Sequence, residues 1–421
     1  MELNEIEYEG LIITDYNLEV PLDYTNDNSE KISIFARKVS RKENLKKSLP
    51  YLIFFQGGPG YESPRPISDS GWIKRASKEY NVILIDQRGT GLSSPISIES
   101  IKDMDDNQIA EYLTFFRADN IVNDAELLRR NIFKVEKWSV LGQSFGGFCA
   151  MNYLSFHSDH LQKVFITGGI PPLDAHPDDI YRATYKRVMD KNRVFYKKFP
   201  KAKLNAKKIA DYLDQNTVYL PNGDLLSVKK FQQLGLNLGF SDGMAILNYL
   251  FERAFINGRV SNFFLKQLFT LQTFDTNPLF TIIHEACYAQ GFATEWSAHR
   301  IIKEYPDFIY KKSDSFYFTG EMLYPWMLDE YSSLRPFKNA ANVLANKKDW
   351  PHLYSEEKLR ENQVPIAAAV YTNDMYVDRD FSIKLAEIIP NMNVWETKLL
   401  EHNALRSNGE KVLDSLFTRI P

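Results

Sequence analysis

The chain has 421 residues, 51 basic and 54 acidic, for a formal net charge of −3. That near-balance lacks the basic footprint of a nucleic-acid binder, and no apolar run approaches the ~18 residues of a membrane span. Two cysteines, Cys149 and Cys287, make neither a disulfide framework nor a Cys-x-x-Cys metal motif.

The acidic start, Met1-Glu2-Leu3-Asn4-Glu5, lacks a signal peptide's basic and apolar stretches. The expectation is a cytoplasmic protein without metal or cofactor. Leu11 to Val20 reads as an early strand, with Ile32 to Arg37 as its partner in a hairpin-like edge. Tyr51 to Phe55 and Val82 to Ile85 are apolar on both faces and stop abruptly at glycine-containing loops. Such runs mark strands buried between helices in a parallel sheet. A helical stretch, Ile121 to Ile132, precedes a strand at Trp138 to Leu141, and Lys163 to Thr167 reads as the next strand. From Pro172 to Ala345 helical spacing dominates, as in Asp179 to Phe199 and Asp242 to Ile256, and 30 of the 57 aromatic residues fall there. The lysine-rich stretch Lys197 to Lys208 reads as a solvated helix face, because Asp211 and Asp214 follow at once. Strand patterns resume at Val364 to Val370 and Asn393 to Thr397. This order predicts an α/β fold, a mostly parallel sheet with helices on both faces. Residues 1–171 and 346–421 would form the core, and residues 172–345 an inserted helical domain.

Gly142-Gln143-Ser144-Phe145-Gly146 follows a strand and leads into the small-residue stretch Gly146 to Met151. A Gly-x-Ser-x-Gly in a strand-turn-helix setting presents its serine on a strained turn at a helix N-terminus. A serine hydroxyl is a weak nucleophile and needs a base, itself oriented by a carboxylate. In this arrangement the acid and then the histidine follow the serine along the chain. His402 lies in a loop after the last strand and before the helical segment Gly409 to Phe417, where the base belongs; His176, His284, His299 and His352 fall in the inserted stretch or its return. Asp374 lies three residues past the penultimate strand, with Asp378 as the alternative acid or as a helix cap beside Asp380. Two backbone N–H groups are needed for an oxyanion. Phe145 would supply one, and the loop Gln56-Gly57-Gly58-Pro59-Gly60 the other. Pro59 and the missing lysine argue against a phosphate loop there. Asp86 and Arg88, in Asp86-Gln87-Arg88-Gly89-Thr90-Gly91, read as loop-ordering residues rather than part of a dinucleotide site.

Together these three motifs resemble the prolyl aminopeptidase (proline iminopeptidase) family of α/β-hydrolases. The first departs from the family pattern, because Gln56 stands in place of a histidine, which resembles a longer-chain subgroup. The resemblance spans the chain, since Asn373-Asp374-Met375 and Glu401-His402 also fall at family-like positions. It implies an α/β-hydrolase fold with a helical cap, the triad Ser144, Asp374 and His402, and oxyanion amides on Gly58 and Phe145. It further implies removal of an N-terminal proline from small peptides with a free N-terminus, whose ammonium is held by acidic residues of the cap. Glu285 and Glu321 are the candidates, each in aromatic or apolar surroundings where an unpaired carboxylate is costly; the bland alternative is an ordinary salt bridge to a nearby lysine or arginine. Phe145, Tyr288, Tyr324 and Trp326 are candidates for the apolar slot beside them. Tyr288 occupies the second ligand position of a His-Glu-x-x-His pattern begun by His284-Glu285, so a zinc peptidase is disfavoured. The same triad would serve an esterase or a tripeptide-releasing peptidase, and a catalytically dead binding protein is the reading from another class. Oligomeric state is not readable from the chain.

Overall fold

A computed structural model describes residues 1–272, 274–311 and 315–420. Its frame is a nine-stranded sheet in the order β1-β2-β3-β5-β4-β6-β7-β10-β11. The strands are β1 (Glu2–Tyr8), β2 (Leu11–Pro21), β3 (Lys31–Arg41), β4 (Tyr51–Phe55), β5 (Asn81–Ile85), β6 (Trp138–Gln143) and β7 (Leu161–Thr167). A two-residue hairpin follows, β8 (Phe255–Ile256) with β9 (Arg259–Val260), and then β10 (Ile366–Tyr371) and β11 (Met392–Thr397). From β5 to β11 every neighbour is parallel, while β1, β2 and β3 join antiparallel. This is the α/β-hydrolase arrangement, a mostly parallel sheet.

Alternation along the strands sorts side chains onto two faces. Leu52 and Phe54 of β4, with Val82 and Leu84 of β5, pack against the helices Gly71–Ala76 and Gly409–Phe417. Ile53 and Phe55, with Ile83 and Ile85, face the helices Ala118–Leu127 and Phe145–His157. Both faces are dry, which is why these strands read as unbroken apolar runs.

Between β7 and β10 the described chain adds no strand to the main sheet. It forms the long helix Pro177–Lys198, the helices Pro200–Gln215, Gly243–Glu252 and Asn262–Leu271, and shorter turns. Their aromatic residues, among them Tyr185, Phe195, Phe231, Phe251 and Phe318, continue the same apolar cluster that covers one face of the sheet. The lysine-rich stretch does lie on the helix Pro200–Gln215 and its approach, with Lys207 paired to Asp211 at 2.5 Å.

Two expectations need correcting. Helical spacing over Asp242 to Ile256 stops at Glu252, and Phe255–Ile256 is the first arm of the small hairpin. Its turn, Asn257-Gly258, has φ of 49° and 76°, the paired left-handed angles of the tightest hairpin turn. The edge of the sheet is also one strand further out than Leu11 to Val20, because β1 pairs with β2 through Glu9 and Gly10, again both at positive φ.

Candidate active site

Ser144 sits between β6 and the helix Phe145–His157, at φ 53° and ψ −124°. Residues with a side chain rarely adopt such angles, and the surrounding glycines make the turn possible by close approach. A Cβ on Gly146 would strike the carbonyl of Phe55 at the end of β4, and one on Gly147 would strike the backbone of Gly169 after β7. The helix is therefore seated directly on the strand ends, with its N-terminus at the serine.

His402 Nε2 lies 2.9 Å from Ser144 Oγ, and Nδ1 lies 2.6 Å from Asp374 Oδ2. The Nδ1–H donates to the carboxylate, which leaves Nε2 to accept the serine proton. Asp374 Oδ1 accepts the backbone N–H groups of Tyr376 and Val377, at 2.8 and 3.2 Å. Burial works against a charge on His402, but the Asp374 carboxylate outweighs it and holds the ring above its ordinary pKa. All three side chains are buried. Asp378, the alternative acid, instead caps the helix Arg379–Ala386 and pairs with Arg187 at 2.9 Å.

The loop after β4 lies against the serine. A Cβ on Gly57 would come within 2.9 Å of Ser144 Cβ, and Gly58 and Gly60 hold φ of 134° and 87°. Gln87 Nε2 donates to the Gln56 carbonyl at 2.8 Å, which ties this loop to the one after β5. Asp86 holds that second loop, bonded twice by Arg65 at 2.6 and 2.7 Å and by the Leu92 N–H at 3.0 Å. Arg88 is fully buried against Asp124, at 2.6 and 2.8 Å, and also donates to three backbone carbonyls. Both residues order loops, as the sequence suggests.

Glu285 and Glu321 come from separate turns of the inserted stretch. Glu285 accepts the N–H groups of Ser297 and Ala298, each at 3.0 Å, and burial still pushes its pKa up to about 7. Burial pushes Glu321 further, to about 8, in the electrostatic reach of both His402 and Asp374. Its nearest basic neighbour is His284, 3.8 Å away, which burial itself drives down to about 4 and so keeps neutral. Among the described residues neither glutamate forms an ion pair with a lysine or arginine.

A line of rings runs from the serine to these acids. Phe145 packs on Phe148 at 6.1 Å, and Phe148 meets Tyr288 edge-on at 5.8 Å. Tyr324 bonds Tyr185 through their hydroxyls at 2.9 Å, and Trp326 stacks on its outer side at 5.8 Å. Trp326 thus meets the group through Tyr324.

Sequence reasoning missed several neighbours. The Tyr376 ring lies 4.5 Å from the His402 ring, and Lys191 of the long helix pairs with Glu401 at 2.5 Å, next to the histidine. Tyr181 and His284 are buried among the acids. The sequence marks His284 only as the start of an incomplete His-Glu-x-x-His pattern, and Tyr181 has the spacing of an ordinary packing residue. Among the described residues Glu126, His157 and His160 alone bring possible metal-ligand atoms together, and Arg129 already binds that glutamate at 2.7 and 2.8 Å.

Residues 50–206 match the family model described as the alpha/beta hydrolase fold. The chain is 46% identical over 410 residues to a proline iminopeptidase of Aeromonas sobria, covering 97% of this chain and 96% of that one. It is 32% identical over 417 residues to the proline iminopeptidase aneH of Aspergillus aculeatus, covering 96% and 92%. Among solved structures, esterase E22 aligns over 97% of this chain and 99% of its own with a TM-score of 0.50 at 10% identity, a likeness of fold alone.

Proposed function

The chain belongs to the proline iminopeptidase family of α/β-hydrolases, and from that premise we propose that it releases N-terminal proline from small peptides through an acyl-enzyme on Ser144. The observation that carries the assignment of residues is the hydrogen-bonded line from Ser144 through His402 to Asp374. As Ser144 Oγ attacks the carbonyl of the first residue, His402 Nε2 takes its proton, and Asp374 stabilises the imidazolium. The N–H groups of Gly58 and Phe145 receive the oxyanion. His402 then protonates the departing peptide amine, and water repeats the steps on the ester.

Residues 172–345 act as the cap, and Glu285 and Glu321 hold the substrate's free ammonium. A dry pair of carboxylates favours a cation and rejects a blocked N-terminus, which would leave the acids unmatched. Tyr288 and Tyr324, with Trp326 behind, wall the slot for the pyrrolidine ring. The two cysteines are free and buried, which fits the cytoplasmic setting in which we place the enzyme.

The test compares a prolyl chromogenic amide with its N-acetyl form. Turnover of the free amine alone is expected, and equal turnover of both would overturn the ammonium assignment. Glu285→Gln and Glu321→Gln separate the remaining reading: an ester hydrolase on the same triad would keep its rate, whereas this enzyme should lose at least tenfold in kcat/KM for each, about 1.4 kcal/mol.

A further inference from the structure

Tyr181 lies on the long helix Pro177–Lys198 and is 2% exposed. Among the described residues its hydroxyl has no hydrogen-bond partner. An orphaned buried hydroxyl is costly, and native structures keep few of them. This one stands in the electrostatic reach of Glu285, Tyr288, Glu321 and Tyr324. Several other polar groups there are engaged or turned away. Glu285 is held by two backbone N–H groups, and the Tyr324 hydroxyl is bonded to Tyr185. His284 has an unpartnered Nδ1, but its Nε2 is the atom facing Glu321, so Nδ1 lies on the far side of the ring.

Counting N–H groups gives the orphan a use. A protonated N-terminal proline is a secondary ammonium with two N–H groups, and two carboxylates satisfy it. Any other N-terminal residue is a primary ammonium with three. Away from bulk water the third N–H needs an acceptor, or binding loses part of its gain. We propose that Tyr181 is a specificity-determining residue whose hydroxyl oxygen accepts that third N–H and so admits N-terminal residues other than proline. This rests on the reading of Glu285 and Glu321 as the ammonium site. The phenol's own hydrogen then points towards a carboxylate, and the proton count is unchanged.

The experiment uses Tyr181→Phe in the full chain with three chromogenic amides: prolyl, alanyl and N-methylalanyl. The last two differ by one N–H and share a side chain. The variant should lose about tenfold in kcat/KM for the alanyl amide, the order of one hydrogen bond to a charged group. It should stay within about twofold for the prolyl and N-methylalanyl amides, with a melting temperature no lower than the wild type's. Equal losses on all three would mean a merely structural role and overturn the proposal. An unchanged alanyl-to-prolyl ratio, or a wild type that refuses the alanyl amide while still preferring free over acetylated proline, overturns this proposal alone. A wild type indifferent to acetylation removes the ammonium site itself, and this proposal with it.

Discussion

Glu321 is a reluctant anion. Its carboxyl is held at about 8 by burial, against an ordinary value near 4.5. The folded protein therefore binds that proton more tightly than the unfolded chain does. The stability from this group is complete below about 4.5 and is lost as pH rises towards 8. Glu321→Gln keeps the shape and removes the loss, so the variant should be more stable than the wild type at pH 8.5, by about 1–3 kcal/mol, and no more stable at pH 4. Urea denaturation at the two pH values checks this, and a gain of equal size at both would refute it. Activity should follow the opposite sign. On the proposed reading the site attracts an ammonium only when its acids ionise, so kcat/KM of the wild type should climb between about pH 6 and 8. It should fall again as the substrate amine, near 8, loses its proton. Ser144, Asp374 and His402 are legible in the sequence because each follows a strand, and strand ends in a parallel sheet converge on one rim. Tyr181 and His284 are not legible, since only the packing of helices around them shows that their polar atoms lack partners.

Elements carry the triad by different means. The β6 turn is rigid because glycines let the following helix sit on β4, a demand the motif itself announces. The His402 loop has no glycine of its own between Thr397 and Asn403. It is held from outside by Lys191, whose side chain is 7% exposed and reaches Glu401 at 2.5 Å. Burial already pushes the Glu401 pKa up, and Lys191 counters it. Lys191→Met should leave Glu401 unmatched and loosen the loop, lowering kcat about three- to thirtyfold with KM little changed; adding Glu401→Gln should recover part of the loss. Steady-state kinetics on the single and double variants decide it, and a kcat equal to wild type would show the tether idle. The strands β4, β5, β6, β7 and β10 were legible because burial on both faces leaves a largely apolar run. The strand β1 was not, because Glu2 to Tyr8 are all exposed and its three glutamates interrupt any apolar run. The Phe255–Ile256 arm was hidden for another reason: its helical spacing continued that of the preceding helix, although Asn257-Gly258 carried the turn signal.

At the scale of the whole molecule, the inserted stretch and the core meet around a buried cation. Arg117, 1% exposed, donates to the carbonyls of Ala289 at 2.8 Å, Ala286 at 3.3 Å and Pro351 at 2.7 Å, and packs over Trp350. No carboxylate pairs with it among the described residues, and burial lowers its pKa. Two of those carbonyls, of Ala286 and Ala289, lie in and just after the turn that carries Glu285. Arg117→Met should strand all three and cost about 2–5 kcal/mol in urea unfolding. The kcat/KM for a prolyl amide should drop alongside, and a loss below 1 kcal/mol would refute the brace. The change of pattern near residues 172 and 345 was visible in the sequence because strands cease and resume there, but which buried side chains join the two parts is set by packing.

The outermost strand, β1, leaves one flank of its backbone unpaired, and Leu3, Ile6 and Tyr8 lie exposed along it. Such a margin invites another chain to add itself and grow a fibril. Glu2, Glu5 and Glu7 are spaced along the same seven residues, so any second copy laid beside it brings like charges together. The acidic start of the chain thus guards solubility: the carboxylates proposed to select a substrate inside the molecule have counterparts outside that turn away the protein's own kind.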